Sequence, residues 1–251
     1  MNWKTKLGIL KSRLIYDWKP GNKRSMLKFY SQFIQPGDLC FDLGAHLGNR
    51  TENWRSIKAH VVAVEPNPTF FKILQSKFGS DPKVILYPSA VGASRGSGLL
   101  HINSISPTIS TLRDTSWREM MSGLSPFALN WDKQITVEIQ TLEDLIKRHG
   151  VPTYCKIDVE GLELQVLNGL QTDIPHLSFV FINPGLEDVS ECLTRINQLG
   201  NYSFNYSLRE QHNFQLPKYV DSKMLIKSLC NLGQKVISGD IYAKQGGDEN
   251  N

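Results

Sequence analysis

Phe41-Asp42-Leu43-Gly44-Ala45-His46-Leu47-Gly48-Asn49-Arg50-Thr51 is an apolar run that meets an acid and then opens into a turn with glycines at 44 and 48. A helix length further on, Val61-Val62-Ala63-Val64-Glu65-Pro66-Asn67-Pro68 repeats the pattern of apolar run, acid and turn. Short β-branched runs separated by helical segments are the mark of buried parallel strands joined by crossovers. In such sheets the ligand lies outside the carboxyl ends of the strands, where glycine lets the backbone come close. The spacing here is G-x-x-x-G, not the G-x-G-x-x-G that seats a pyrophosphate on a helix N-terminus. An acid ahead of the glycines would repel pyrophosphate but suits a cationic group. Glu65, at the second strand end, suits the two hydroxyls of a ribose. Taken singly, Asp42 reads as well as a helix cap and Glu65 as a surface acid. Together, at successive strand ends, they describe a nucleoside carrying a cation, which S-adenosylmethionine is.

Outward from this pair the alternation continues. Pro68-Thr69 opens a helix stopped by Gly79 and Pro82, and Val84 to Tyr87 is a third strand. Gly98–Ile102 and Ile135–Gln140 alternate apolar and polar residues, as half-exposed strands do, and bracket an inserted lid or antiparallel element. Thr141 caps a helix with Glu143 and Asp144 in its first turn and Lys147, Arg148 and His149 in its last, the order the helix dipole favours. Thr153 to Ile157 is a strand ending at Asp158, Leu162 to Leu170 a helix, Leu177 to Ile182 a strand and Val189 to Leu199 a helix. Tyr202–Ser207 and Asp240–Ala243 form a final antiparallel pair. Residues 1–34 are expected as an N-terminal helical extension, 35–244 as one α/β domain, and 245–251 as a disordered tail.

Composition limits the classes open to the chain. Its 251 residues, 40% hydrophobic and 21% charged, exclude disorder for most of its length. A net charge of +4 with dispersed Lys and Arg argues against nucleic acid as a partner, and the basic N-terminal stretch reads as a solvated helix face. Cys40, Cys155, Cys192 and Cys230 form no CxxC pair and no zinc spacing. Buried free thiols suit a reducing cytoplasm. Neither a signal peptide nor an apolar run of membrane-spanning length is expected.

The ordered segments FDLGAHLGNRT (41–51), VVAVEPNP (61–68), Ser89-Ala90-Val91-Gly92, VEIQTLEDLI (137–146) and KIDVEGLELQVLNGL (156–170) resemble the FkbM family of S-adenosylmethionine-dependent methyltransferases, with weaker similarity at GDIYAK (239–244). The resemblance implies a doubly wound, mostly parallel, seven-stranded Rossmann-like sheet with an inserted β element. It implies S-adenosyl-L-methionine as cofactor, held by Asp42, Gly44, His46, Gly48, Thr51, Glu65, Pro66, Asn67, Ser89, Ala90 and Asp158; no residue is assigned as a metal ligand. The chain departs from the family at His46, often Asn there, and at Asn183-Pro184, where an acid is usual.

Methyl transfer to a hydroxyl needs alignment of the acceptor and a base for its proton. Asp158, Glu160, His46 and Lys156 are the candidates, with Asp158 preferred and Glu160 its partner. If the strand geometry persists beyond 158, Asp158 and Glu160 point to one side. Paired carboxylates raise one pKa, and such a pair also suits a divalent ion. Glu160 reads equally well as a cap for the helix that follows. The segment 95–135, with Trp117, Met120, Met121, Phe127 and Trp131 among hydroxyl side chains, either shapes the acceptor site or simply packs on the sheet. The leading reading is O-methylation of a sugar, glycan or small metabolite. The competing readings are a non-catalytic cofactor-binding scaffold and an NAD-dependent oxidoreductase.

Overall fold

The computed structural model describes residues 22–104, 110–124, 129–183, 185–209, 211–233 and 237–246. In chain order the elements are α1 (Asn22–Tyr30), β1 (Leu39–Leu43), α2 (Asn49–Ser56), β2 (His60–Val64), α3 (Pro68–Phe78), β3 (Val84–Tyr87), β4 (Ala90–Val91) and β5 (Gly96–Ile102). Then follow α4 (Thr115–Leu124), β6 (Lys133–Gln140), α5 (Leu142–His149), β7 (Tyr154–Ile157), α6 (Glu163–Asn168) and β8 (His176–Asn183). The chain closes with α7 (Leu186–Leu199), β9 (Tyr202–Leu208), α8 (Ser222–Cys230) and β10 (Ile237–Gln245).

Among the described residues, seven strands pair in the order β3-β2-β1-β7-β8-β10-β9. The first five run parallel, and β10 is antiparallel to both β8 and β9. The strand order reverses between β1 and β7, and at such a switch point the diverging crossovers leave a crevice at the strand ends. The inserted element is a second sheet, β4-β6-β5, with β5 and β6 antiparallel from Gly96↔Ile139 to Ile102↔Lys133.

Strand alternation divides the core in two. Phe41, Leu43, Cys155, Ile157, Leu177 and Phe179 face α5, α6 and α7. Cys40, Val61, Ala63 and Tyr154 face the opposite side, where Met26, Phe29 and Tyr30 of α1 pack with Trp54 of α2. Tyr30 meets Trp54 and Tyr154 edge-on, with ring centroids 5.4 Å apart in both pairs. Burying each such ring contributes about 1.5–3 kcal/mol.

The helix at α1 is therefore part of the domain's core and not only an extension of it. Residues 1–21 of the expected extension and 247–251 of the expected tail lie outside the described residues, as do Ser106, Thr108, Phe127 and Pro184. Gln245, expected in the tail, pairs with Tyr202 at the end of β10. α5 carries a capping box: Thr141 accepts from the Asp144 backbone N–H, and the Asp144 side chain accepts in return from Thr141 N–H. No helix among the described residues is long and apolar enough to cross a membrane.

Candidate active site

The crevice at the switch point is a cavity of about 1100 Å³, counted with its open mouth. The turn after β1 supplies Gly44, Ala45, His46, Leu47, Asn49 and Arg50. The turn after β2 supplies Glu65 and Pro66, backed by Phe70. Ser89 follows β3, Ala90 and Val91 form β4, and Asp158, Val159 and Glu160 come from the turn after β7. Leu100, Ser110 and Leu112 of the insert and Met26 of α1 complete the wall.

Gly44 sits at φ +81°, and a Cβ there would lie 1.8 Å from the Asp158 carbonyl oxygen. The β1 and β7 turns are thus in backbone contact, and only glycine fits. Gly48 (φ +79°) packs against Phe78 and Leu74 of α3 and precedes the first residue of α2. Glu65 is buried, and its two oxygens accept 2.8 Å hydrogen bonds from the backbone N–H groups of His46 and Asn67. Burial, opposed by those two hydrogen bonds, pushes its carboxyl up to about 7. His46 (φ +51°) lies against Phe70 with centroids 3.9 Å apart, and burial lowers its pKa to about 4, so the ring is neutral at pH 7.

The structure brings Gly44, His46, Glu65, Pro66, Ser89, Ala90, Asp158 and Glu160 to the cavity wall. Asp42, Gly48, Thr51 and Asn67 stand behind it. Asp42 Oδ2 accepts from the Thr51 backbone N–H (3.1 Å) and hydroxyl (2.6 Å), holding the first turn of α2 against β1. Asn67 Oδ1 caps α3 through Thr69 N–H, while its amide donates to Ser110 at 3.1 Å and so pins the insert over the cleft.

The turn after β7 is not an extended continuation of the strand. Glu160 has φ +53°, a strained value for a non-glycine residue and one that recurs at functional sites. Nor does Glu160 cap α6, whose first turn has no side-chain cap. Instead Thr111 Oγ1 donates to the Glu160 carbonyl at 2.8 Å, and Gly161 (φ +94°) packs on the Trp117 indole. Glu163 Oε1 accepts from Val159 and Gly161 N–H at 3.2 and 3.3 Å.

Behind Asp158 lies a charge network: Lys156 reads from sequence as a partner for an acid, but Arg50 and Asp240 carry no such signal. Arg50 Nη1 is 3.5 Å and Lys156 Nζ 3.6 Å from Asp158 Oδ2. Lys156, with no exposed surface, reaches across β8 to Asp240 Oδ1 of β10 at 2.9 Å. The register puts the small Ser178 beside Lys156 and opposite Tyr242, which leaves that path open. Arg50 Nη2 approaches Asp240 Oδ2 at 3.8 Å. Two cations thus stand at ion-pair distance from one oxygen of the Asp158 carboxylate. The Glu160 side chain has no hydrogen-bond or ion-pair partner among the described residues, and burial, then the Asp158 and Glu163 carboxylates, raise its pKa well above the usual range. No group of three or more His, Cys, Asp or Glu among the described residues is arranged to hold a metal ion.

Glu163, pushed up to about 7 chiefly by burial, carries a stability consequence. An acid with a raised folded pKa favours the folded state fully below its unfolded value near 4.5. That advantage is lost as pH rises through about 7. Glu163→Gln, which keeps the accepting oxygen, is expected to stabilise the fold by about 2 kcal/mol at pH 8 and by almost nothing at pH 4. Thermal melts at the two pH values check this.

A seven-stranded sheet with one antiparallel strand second from its edge, and acids at the strand ends around a cleft at the switch point, defines the Rossmann-like methyltransferase class. The Methyltransferase FkbM domain model matches residues 42–211, and the chain belongs to that family. It is 27% identical over 168 residues to the hexuronic acid methyltransferase AglP of Haloferax volcanii, an alignment covering 64% of this chain and 61% of AglP. Two solved structures resemble it at TM-scores too low to bear on function. One is a precorrin-6y C5,15-methyltransferase from Geobacter metallireducens (11% identity, TM-score 0.45, covering 89% of this chain and 87% of that one). The other is a SAM-dependent O-methyltransferase from Thermotoga maritima (13% identity, TM-score 0.40, 91% and 67%).

Proposed function

We propose that the protein is an S-adenosylmethionine-dependent O-methyltransferase acting on a hydroxyl of a sugar, glycan or similar small metabolite. The observation that carries this reading is the buried Glu65 carboxylate on the wall of the cavity, beside the Gly44 turn that lies in backbone contact with Asp158. Those residues fit the cofactor. Glu65 would hold the ribose hydroxyls, Ser89 and Ala90 would border the base, and Asp158 and Arg50 would meet the ammonium and carboxylate of the methionine end. When bound, the cofactor supplies an electrophilic methyl on a sulfonium. A nicotinamide dinucleotide would instead set a pyrophosphate among Glu65, Asp158 and Glu160, which disfavours it. Sugar as the acceptor class is supported by the similarity to AglP, a hexuronic acid methyltransferase. The buried thiols of Cys40, Cys155 and Cys192 support a reducing, cytoplasmic setting.

Glu160 is the base in this reading, in place of the Asp158 preferred from sequence. It borders both the cofactor cavity and a second cavity beside β8, so a hydroxyl entering from that side meets it first. Glu160 takes the hydroxyl proton, Thr111 holds its carbonyl, and Glu163 holds the backbone N–H groups of Val159 and Gly161 on either side of it. Transfer of isotope-labelled methyl from S-adenosylmethionine to a panel of glycosides, with the linkage located by mass spectrometry, tests the proposal. Label on oxygen supports it, whereas label on nitrogen, or none on any hydroxyl, counts against it.

A further inference from the structure

The second cavity, about 660 Å³ with its open mouth, lies at the carboxyl end of β8 and shares Glu160 with the first. Phe179, Phe181 and Val189 form an apolar floor, and Trp117, seated on Gly161, forms one wall. Arg113 and Asp188 stand on its rim.

Arg113 is the feature that neither the fold nor the proposed chemistry explains. Its Nε is buried with no hydrogen-bond partner among the described residues. Its Nη2 lies 3.6 Å from Asp188 Oδ2, beyond hydrogen-bond range, and Asp188 is mostly exposed. Such a pair leaves most of the guanidinium's five donors unused. Its position is nevertheless fixed relative to the base. The Thr111 hydroxyl accepts from the Arg113 backbone N–H at 3.0 Å and donates to the Glu160 carbonyl at 2.8 Å. One side chain therefore sets the spacing between a proton acceptor and a cationic fork across a single cavity.

Resting on the methyltransferase reading above, we propose that this cavity is the acceptor subsite and that Arg113 selects a sugar bearing an anionic group. A planar fork with an unused donor matches a carboxylate or phosphate ester, which bring paired acceptors and the opposite charge. The carboxylates of Glu160 and Asp188 are acceptors for sugar hydroxyls.

The test titrates the S-adenosylhomocysteine complex of the full chain, wild type and Arg113→Gln, with methyl β-D-glucuronide, glucose 6-phosphate and methyl β-D-glucoside. The wild type is expected to bind one of the two anions at least about tenfold more tightly than the glucoside. Arg113→Gln is expected to erase that difference while leaving S-adenosylhomocysteine binding unchanged. Which anion wins identifies the group read. Equal binding of all three probes, no binding of any, or a preference that survives in Arg113→Gln overturns the proposal. The cofactor-product titration is read first, so failure there counts against the methyltransferase reading and is distinguishable from failure of the subsite.

Discussion

Glu160→Gln is expected to lower kcat by roughly 10²–10⁴-fold, the range set by loss of a general base, while S-adenosylhomocysteine affinity stays within about threefold of wild type. Glutamine keeps the size and the strained backbone position but cannot take a proton. Wild-type Glu160 has a raised pKa, so its rate should climb as pH rises and the carboxyl ionises, and the variant's residual rate should lack that limb. Single-turnover rates from pH 6 to 9, alongside cofactor-product titrations, measure both. A variant with the wild-type rate and pH profile would remove Glu160 from the chemistry.

Lys156→Met is expected to cost about 3–5 kcal/mol of stability at pH 7, because breaking a buried ion pair leaves a charge without its partner. Lys156 has no exposed surface and holds Asp240 at 2.9 Å. Burial raises the Asp240 pKa, but Lys156 and Arg50 outweigh it, and the net shift is downward. A lowered folded pKa means the stabilisation is present above the unfolded value near 3.8 and lost as pH falls through the folded one. The variant's deficit should accordingly be full at pH 7 and shrink in acid. Pairing Lys156→Met with Asp240→Asn should recover much of the loss, since the orphaned charge is then gone. Denaturant unfolding of both variants at pH 7 checks the pair.

Much of this fold is visible in sequence because its central strands are buried on both faces. Leu39–Leu43, His60–Val64 and Tyr154–Ile157 are short apolar runs with an acid at or just past the end, and their place in the sheet follows from parallel crossovers. Their side chains are less legible. Asp42 looks like a ligand for a cation, but Thr51, nine residues on, folds back onto one of its oxygens, and the carboxylate is buried behind the cavity wall. Asp158 and Glu160 share a cavity for a reason other than strand alternation, which the positive φ at Glu160 breaks. Arg50 stands inside the stretch that decides the fold, yet its partners Asp158 and Asp240 meet it only in three dimensions. Arg113 gives no local signal, because its orphaned donor is a product of packing. α8 was not anticipated either: Leu225 and Leu229 are its buried residues, too few for a clear helical period.

The central claim is that the cleft at the β1–β7 switch holds S-adenosylmethionine through Glu65. Calorimetric titration of wild type and Glu65→Gln with S-adenosylhomocysteine tests it most directly. The account predicts one site per chain in the wild type and an affinity about 10–100-fold weaker in the variant, the loss appropriate to charge-assisted hydrogen bonds. No binding by the wild type, or equal binding by the two proteins, would contradict it.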